Sequence, residues 1–259
     1  MLVDSHCHLD FPGLAERLPD VLQAMQDNGV GLALCIGVNL EDLPRVLALA
    51  ERDPRLYATV GVHPEYADAE EPTVERLVEL AAHPRVVAIG ETGLDYHWHK
   101  DKPAWQRQRF GKHIEAARRS GKPLVVHTRD AAEDALRLLR EADAGAVGGV
   151  MHCFTENWEV GRAALDLGFY LSFSGIVTFK NAAIVKDVAT RCPLDRLLIE
   201  TDSPYLAPAP FRGKPNQPAY VRHVAEEIAR LRGLSAAEVA RATTANFHTL
   251  FRHVSRPAT

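Results

Sequence analysis

The sequence predicts an α/β protein of the (β/α)₈ class, a TIM barrel built as a single domain, and three observations carry that expectation. Short apolar, β-branched runs alternate with amphipathic helical stretches along all 259 residues, which calls for a parallel sheet covered by helices. The alternation repeats eight times, and eight such units in about 250 residues is the size of a closed barrel. No Gly/Ser-rich linker, charge block, low-complexity tract or solenoid-length repeat divides the chain. The alternative, an open doubly wound sheet, places a glycine-rich phosphate loop after its first strand, and "HCHLDFPG" is not one.

Each element follows in order. "VDSHCHLD", residues 3–10, has the two-residue repeat of a strand, so His6 and His8 should leave the backbone on one side. "LAERLPDVLQAMQDNG" is an amphipathic helix over 14–29 closed by a glycine, and "VGLALCIGV" is a buried strand. Helix 41–52 leads to the strand "LYATVGVHP", helix 73–82 to "VVAIGETGLD", and helix 104–120, ending "RSGKP", to "LVVHT". The next helix is expected to open on Asp130 and Glu133 in capping-box spacing. "GGVMHCF" leads into helix 157–167, "YLSFSG" into helix 181–190, and "RLLIETDSP" into the closing helices 218–232 and 236–250. The barrel is expected over 1–253, with 254–259 a short disordered tail.

Composition narrows the function. Hydrophobic residues make up 46% and charged residues 25%, ordinary for an enzyme-sized core, and the formal net charge is −4. That balance argues against a protein that coats duplex nucleic acid through a broad basic surface. The N-terminus lacks a basic stretch followed by an apolar run, so no cleaved signal peptide is expected. The longest apolar run, near "LALCIGV", is far too short to span a bilayer, and the expected location is cytoplasmic. Four cysteines, Cys7, Cys35, Cys153 and Cys192, are scattered without a CxxC pair, which predicts reduced, mostly buried thiols.

In a barrel, chemistry collects at the C-terminal ends of the strands. The last inward residues there are His6 and His8 on strand one, His63 on three, Glu91 on four, His127 on five, His152 on six and Asp202 on eight. Imidazoles and carboxylates are rare as buried strand residues, so their convergence points to metal. Closure brings strand eight beside strand one, which makes His6, His8 and Asp202 one cation site. His127 and His152, on neighbouring strands, face it as a second, and Glu91 has two oxygens with which to bridge both. Mixed imidazole and carboxylate donors suit zinc, manganese or iron, and with retained waters magnesium. Two divalent ions about 3.5–4 Å apart can supply hydroxide near neutral pH and hold both the attacking and leaving oxygens of a phosphoester. The expected reaction is hydrolysis, with Glu91 bridging and Asp202 both ligand and general base.

"DSHCHLD", "GVHP", "GETGLDY", "VVHTRDA", "HCFT", "YLSFSGIVTF" and "ETDSPYLAP" together resemble, in order and over nearly the full chain, the motif series of the TatD family of metal-dependent deoxyribonucleases. The resemblance implies a TIM barrel of the amidohydrolase kind, a two-metal centre and 3′-to-5′ exonuclease action on DNA. It places ligand roles on His6, His8, Glu91, His127, His152 and Asp202. Many amidohydrolases bridge their metals with a carboxylated lysine, but no lysine stands at an inward strand end here and Glu91 fills that place.

Other residues carry competing readings. His63 in "VHP" is either structural or a substrate contact. His97 and His99 fall in a loop and read as bland, although Tyr96 and Trp98 could stack a base there. Cys7 and Cys153 should alternate toward the helices as packing residues, and Glu200 should support a ligand. Arg129, Lys180, Arg212 and Lys214 lie in rim loops where phosphates would arrive, Arg129 and Arg212 foremost. The expected cofactors are two divalent ions per chain, and the expected substrate is DNA with single-stranded or frayed 3′ ends, with no membrane and no obligate protein partner. The rival readings are hydrolysis of a small amide, lactone or ester, including an aminoacyl-tRNA ester, and metal binding without turnover.

Overall fold

Strand β1 (Leu2–Cys7) pairs in parallel with β2 (Val30–Cys35) in a computed structural model that describes residues 1–255. The sheet continues in chain order through β3 (Leu56–Val60), β4 (Val86–Asp95), β5 (Leu124–Arg129), β6 (Gly149–Met151), β7 (Tyr170–Phe173) and β8 (Leu197–Ile199). The ring closes just beyond the strand ends, where the Asp202 amide donates to the His6 carbonyl and the His8 amide to the Ser203 carbonyl, both at 2.9 Å. Closure therefore sets Asp202 beside the two histidines of β1, as the barrel expectation requires.

The interior below these ends is apolar. One buried cluster has a member on every strand, Val3, Leu34, Tyr57, Val87, Val125, Val150, Tyr170 and Leu198, as a filled barrel requires. Phe247 and Leu250 of the last helix, and Phe251 just after it, join the cluster. His127 and His152 stand two residues further along the rows of Val125 and Val150, while Asp202 lies past the end of β8 at a left-handed φ of 56° and is placed by the closing hydrogen bond to His6. Burial of the apolar rows thus fixes the direction in which the polar ends point.

Helices α1 (Leu18–Asp27), α2 (Leu43–Arg52), α3 (Val74–Ala81), α4 (Ala104–Ser120), α5 (Ala132–Glu141), α6 (Trp158–Asp166), α7 (Ala183–Arg191), α8 (Val221–Arg232) and α9 (Ala236–Leu250) fall where the periodicity places them. α1 starts four residues later than its apolar pattern, because Ala15–Arg17 form a tighter 3₁₀ turn and Pro19 occupies the first turn of the α-helix. The capping box expected at Asp130 does not form. Asp130 takes a left-handed φ of 53° and its carboxylate meets His97 Nδ1 at 3.2 Å, leaving Ala131 at the start of α5 without a side-chain cap. The capping box is found instead at Ser235 and Glu238, ahead of α9. Within 254–259, Val254 is buried and the Ser255 amide donates to the Tyr57 hydroxyl, while residues 256–259 lie outside the described residues. Among the described residues no helix is long and apolar enough to cross a membrane.

Candidate metal centre

Two glycines of β4 let its end approach β5. Gly93 stands opposite His127 in the ladder with φ at +134°, and a Cβ there would strike the His127 carbonyl. Gly90, at +147°, is packed in the same way against Val125. Only glycine holds such backbone without strain, so the "GETG" stretch delivers Glu91 and His127 to one point.

The Glu91 carboxylate divides its two oxygens between two groups of imidazoles. Oε2 lies 3.3 Å from His6 Nε2. Oε1 lies 2.8 Å from His152 Nε2 and 3.2 Å from both His63 Nε2 and His127 Nδ1. On the first side Asp202 Oδ1 is 3.5 Å from His6 Nε2 and 3.4 Å from His8 Nε2, and those two nitrogens are 3.3 Å apart. The His6 and His152 rings stack across the centre, with centroids 3.9 Å apart and planes 10° from parallel. Among the described residues three donor sets are tight enough to hold a cation: His6, His152 and Asp202; His6, His8 and Glu91; and His63, Glu91 and His127. Bare nitrogens facing one another at 3.3 Å, flanked by two carboxylates, fit a cation well.

Electrostatics follow from this crowding. Burial disfavours the Glu91 carboxylate, yet His152, His63 and His6 outweigh it and hold its pKa well below the usual range. Asp202 is likewise lowered, burial opposing and the His8 hydrogen bond prevailing. Burial opposes the charged form of His152 too, but Glu91 and Glu200 raise it well above the ordinary value. His6 and His63 are lowered, chiefly by burial, and so are held neutral.

Behind these groups stand the residues that orient them. His127 Nε2 meets Asp95 Oδ2 at 3.0 Å, which turns Nδ1 toward Glu91. His152 Nδ1 meets Glu200 Oε1 at 3.2 Å, and the same oxygen accepts the Cys153 amide at 2.8 Å. His63 Nδ1 accepts the Glu65 amide at 3.1 Å, so the neutral ring carries its proton on Nε2. The Nδ1 atoms of His6 and His8 are buried with no hydrogen-bond partner among the described residues. Sequence reasoning passed over Asp95, although the alternation that gives Glu91 also gives Asp95 when carried four residues further.

Seven of the sequence-selected residues, His6, His8, His63, Glu91, His127, His152 and Asp202, therefore meet at one point. Arg129 and Arg212 do not reach that point. Both are exposed, Arg129 with its guanidinium 5.9 Å from the Trp98 ring centroid and Arg212 4.0 Å from that of Phe179. Lys180 and Lys214 are exposed too. Cys7 packs in the apolar core as expected, but Cys153 does not. β6 ends at Met151 and Cys153 turns at a φ of 43°, so strand alternation no longer governs it, and its thiol meets Ser174 Oγ at 3.2 Å.

Comparison with known proteins adds four findings. The family model described as "TatD related DNase" matches residues 3–252. The chain is 48% identical over 254 residues to the uncharacterized metal-dependent hydrolase YcfH of Escherichia coli K12, covering 96% of this chain and 95% of that protein. It is 34% identical over 256 residues to the 3′-5′ ssDNA/RNA exonuclease TatD of Escherichia fergusonii, covering 96% and 98%. Among solved structures, that of YjjV, a TatD homolog from Escherichia coli K12, matches with a TM-score of 0.91 at 32% identity, covering 97% of this chain and 98% of that one.

Proposed function

This chain belongs to the TatD-related DNase family, and from that premise we propose that it is a divalent-metal-dependent hydrolase of phosphodiester bonds in DNA, acting 3′ to 5′ on single-stranded or frayed ends. The observation that carries the reading is the split Glu91 carboxylate, one oxygen toward His6 and the other toward His63, His127 and His152. A carboxylate so placed suits a bridge between two cations, one with His6, His8 and Asp202, the other with His127 and His152. Bound divalent ions would supply Lewis acidity and lower the pKa of water at the scissile phosphate.

The chain's own residues then have distinct tasks. Asp202, held as a carboxylate beside His6 and His8, takes the proton of the attacking water. His63 offers its Nε2 proton to a phosphoryl oxygen, a role that its hydrogen bond from Glu65 fixes by setting the tautomer. Asp95 and Glu200 keep His127 and His152 turned inward. Arg129, exposed as the last residue of β5 and not in the loop its sequence position suggested, and Arg212, exposed on the loop after β8, meet the phosphates that follow. Because His6, His8, Glu91 and His152 are all buried, a phosphodiester must be lowered into a recess, which a free strand end does more easily than the middle of a duplex.

The test compares a linear single-stranded oligonucleotide, the same strand with phosphorothioates at its 3′ terminus, and a closed circle of the same sequence, each with magnesium, manganese or chelator. A panel of amides, lactones and esters runs beside them. Stepwise release of mononucleotides from the plain linear strand, blocked by phosphorothioate and by chelator, is expected. Equal cleavage of the circle overturns the exonuclease reading, and turnover of an amide or ester alone overturns the nuclease reading.

A further inference from the structure

Phe11 follows His8 by three residues, Tyr66 follows His63 by three, Trp98 follows Asp95 by three and Tyr205 follows Asp202 by three. In three of these the aromatic amide donates to the carbonyl of the earlier residue, Phe11 to His8 at 3.2 Å, Tyr66 to His63 at 3.2 Å and Tyr205 to Asp202 at 3.0 Å. One tight turn beyond a strand end thus carries a ring to the rim beside the centre. Phe11 stacks on the His8 ring at 4.7 Å, Tyr205 meets Phe11 edge-on at 6.3 Å, and Tyr66 meets His63 edge-on at 6.2 Å. On the β4 and β5 side, the Arg129 guanidinium lies 5.9 Å from the centroid of the Trp98 ring.

These rings are open to water. Tyr66, Trp98 and Tyr205, at 37%, 67% and 56% exposure, are the exposed aromatic side chains among the described residues, and all three follow residues of the centre or its support. Exposed apolar rings gathered on one rim forgo burial unless something covers them. The chemistry of the cover follows from the surroundings. Planar faces are presented beside a cluster of metal-type donors, with an arginine at one of them, which suits a ligand that carries flat rings on an anionic backbone.

We infer that Phe11, Tyr66, Trp98 and Tyr205 form an aromatic collar that stacks unpaired nucleobases while the terminal phosphodiester enters the centre. This rests on the nuclease reading and deepens it, since stacking faces accept bases that are free of a partner strand. The collar selects for unpaired strands and is indifferent to base identity, because every base offers a π-face. Tyr66 and Tyr205 receive the bases nearest the scissile bond, and Trp98 with Arg129 receives a nucleotide further along.

The experiment has a binding arm and a kinetic arm. The deoxyribonucleoside 5′-monophosphate of 2-aminopurine, fluorescent when unstacked, is titrated into the full chain with manganese and with chelator. Wild type should quench it saturably. Y66L and Y205L should each weaken binding about tenfold, while Y205F, and W98L whose ring serves a nucleotide further along, should bind as wild type does. In the kinetic arm the leucine variants should raise KM for a single-stranded oligonucleotide about tenfold at nearly constant kcat. An abasic 3′-terminal nucleotide should shrink the effects of Y66L and Y205L and leave that of W98L. Leucine variants that keep both quenching and KM overturn the collar and leave the nuclease reading standing. Saturable quenching that Y66L and Y205L lose, in a protein that cleaves no oligonucleotide, supports the collar and overturns the nuclease reading.

Discussion

Glu91 Oε1 lies 2.8 Å from His152 Nε2, the shortest contact this carboxylate makes with the four imidazoles around it. Burial alone would strip the proton from His152, but Glu91 and Glu200 keep its pKa well above the ordinary value, so the ion-free protein holds a proton between His152 and Glu91 near neutral pH. A coordinating imidazole must be neutral. Metal loading at pH 7 should therefore release a proton, read with an indicator dye in weak buffer, and apparent metal affinity should climb as pH rises. A raised histidine stabilises the ion-free fold fully below about pH 6.5 and loses that contribution as pH rises through its folded value. The chelated protein should accordingly lose stability on the alkaline side, while the loaded protein does not. Loading without proton release at pH 7 contradicts this account.

Glu91→Gln keeps the side chain's shape but replaces one oxygen by an amide that cannot ligate. Metal content, measured on dialysed protein, should fall toward one ion per chain, and turnover should drop by at least about a hundredfold. Cys7→Ser, between His6 and His8 in the chain but buried on the helix side with its thiol on the Leu34 carbonyl, should change neither. Full activity with two ions in the glutamine variant would remove the bridge.

Asp95 touches His127, not the centre itself, so it is a positioning residue. Burial pushes its carboxyl up, but the hydrogen bond from His127 prevails and brings it to about 2. Asp95→Ala should lower metal affinity or kcat about 10–100-fold by freeing the ring to rotate. Asp95→Asn, which keeps an acceptor, should recover part of the loss and shift the acid limb of the pH profile. Equal loss in both variants would assign Asp95 to local folding instead.

The barrel and most of its centre were legible because two periodicities suffice to read them. Alternation on β5 runs unbroken from Val125 to His127, so the strand-end rule finds that residue directly, whereas Asp202, three residues past the end of β8 at a left-handed φ of 56°, is set by its amide's hydrogen bond to the His6 carbonyl. The failures lie where the chain leaves regular backbone. Cys153 escaped because β6 is only three residues long and the turn after Met151 reverses the sense of the next side chain. Asp130 escaped because it takes a left-handed φ and the N-cap of α5 falls one residue later, at Ala131, so its carboxylate faces His97 instead of the α5 amides. Asp95 was passed over for another reason: Glu91 satisfied the strand-end rule first, and β4 runs four residues beyond it. His63 had two readings in sequence, and its contact with Glu91 is a tertiary relation that alternation does not supply.

His113 of α4 ties the helical layer to the strand end that bears His63. Its Nδ1–H donates to the Arg109 carbonyl at 2.8 Å and its Nε2 accepts the Val62 amide at 3.0 Å, so the buried ring is used fully in its neutral form. Burial lowers its pKa to about 4. A histidine depressed on folding contributes stability that is complete above its unfolded value of about 6.5 and is lost as pH falls through its folded value. Thermal melts of wild type should therefore decline between about pH 6.5 and 4, by an amount worth about 3 kcal/mol from this group. His113→Leu leaves the Val62 amide and the Arg109 carbonyl without that partner and should cost about 1–3 kcal/mol at pH 7.5. The variant should also raise KM by loosening His63, and its melting temperature should depend less on pH across the same window. If the leucine variant lost stability with acid as steeply as wild type, the acid sensitivity would belong to other groups and this role for His113 would be withdrawn.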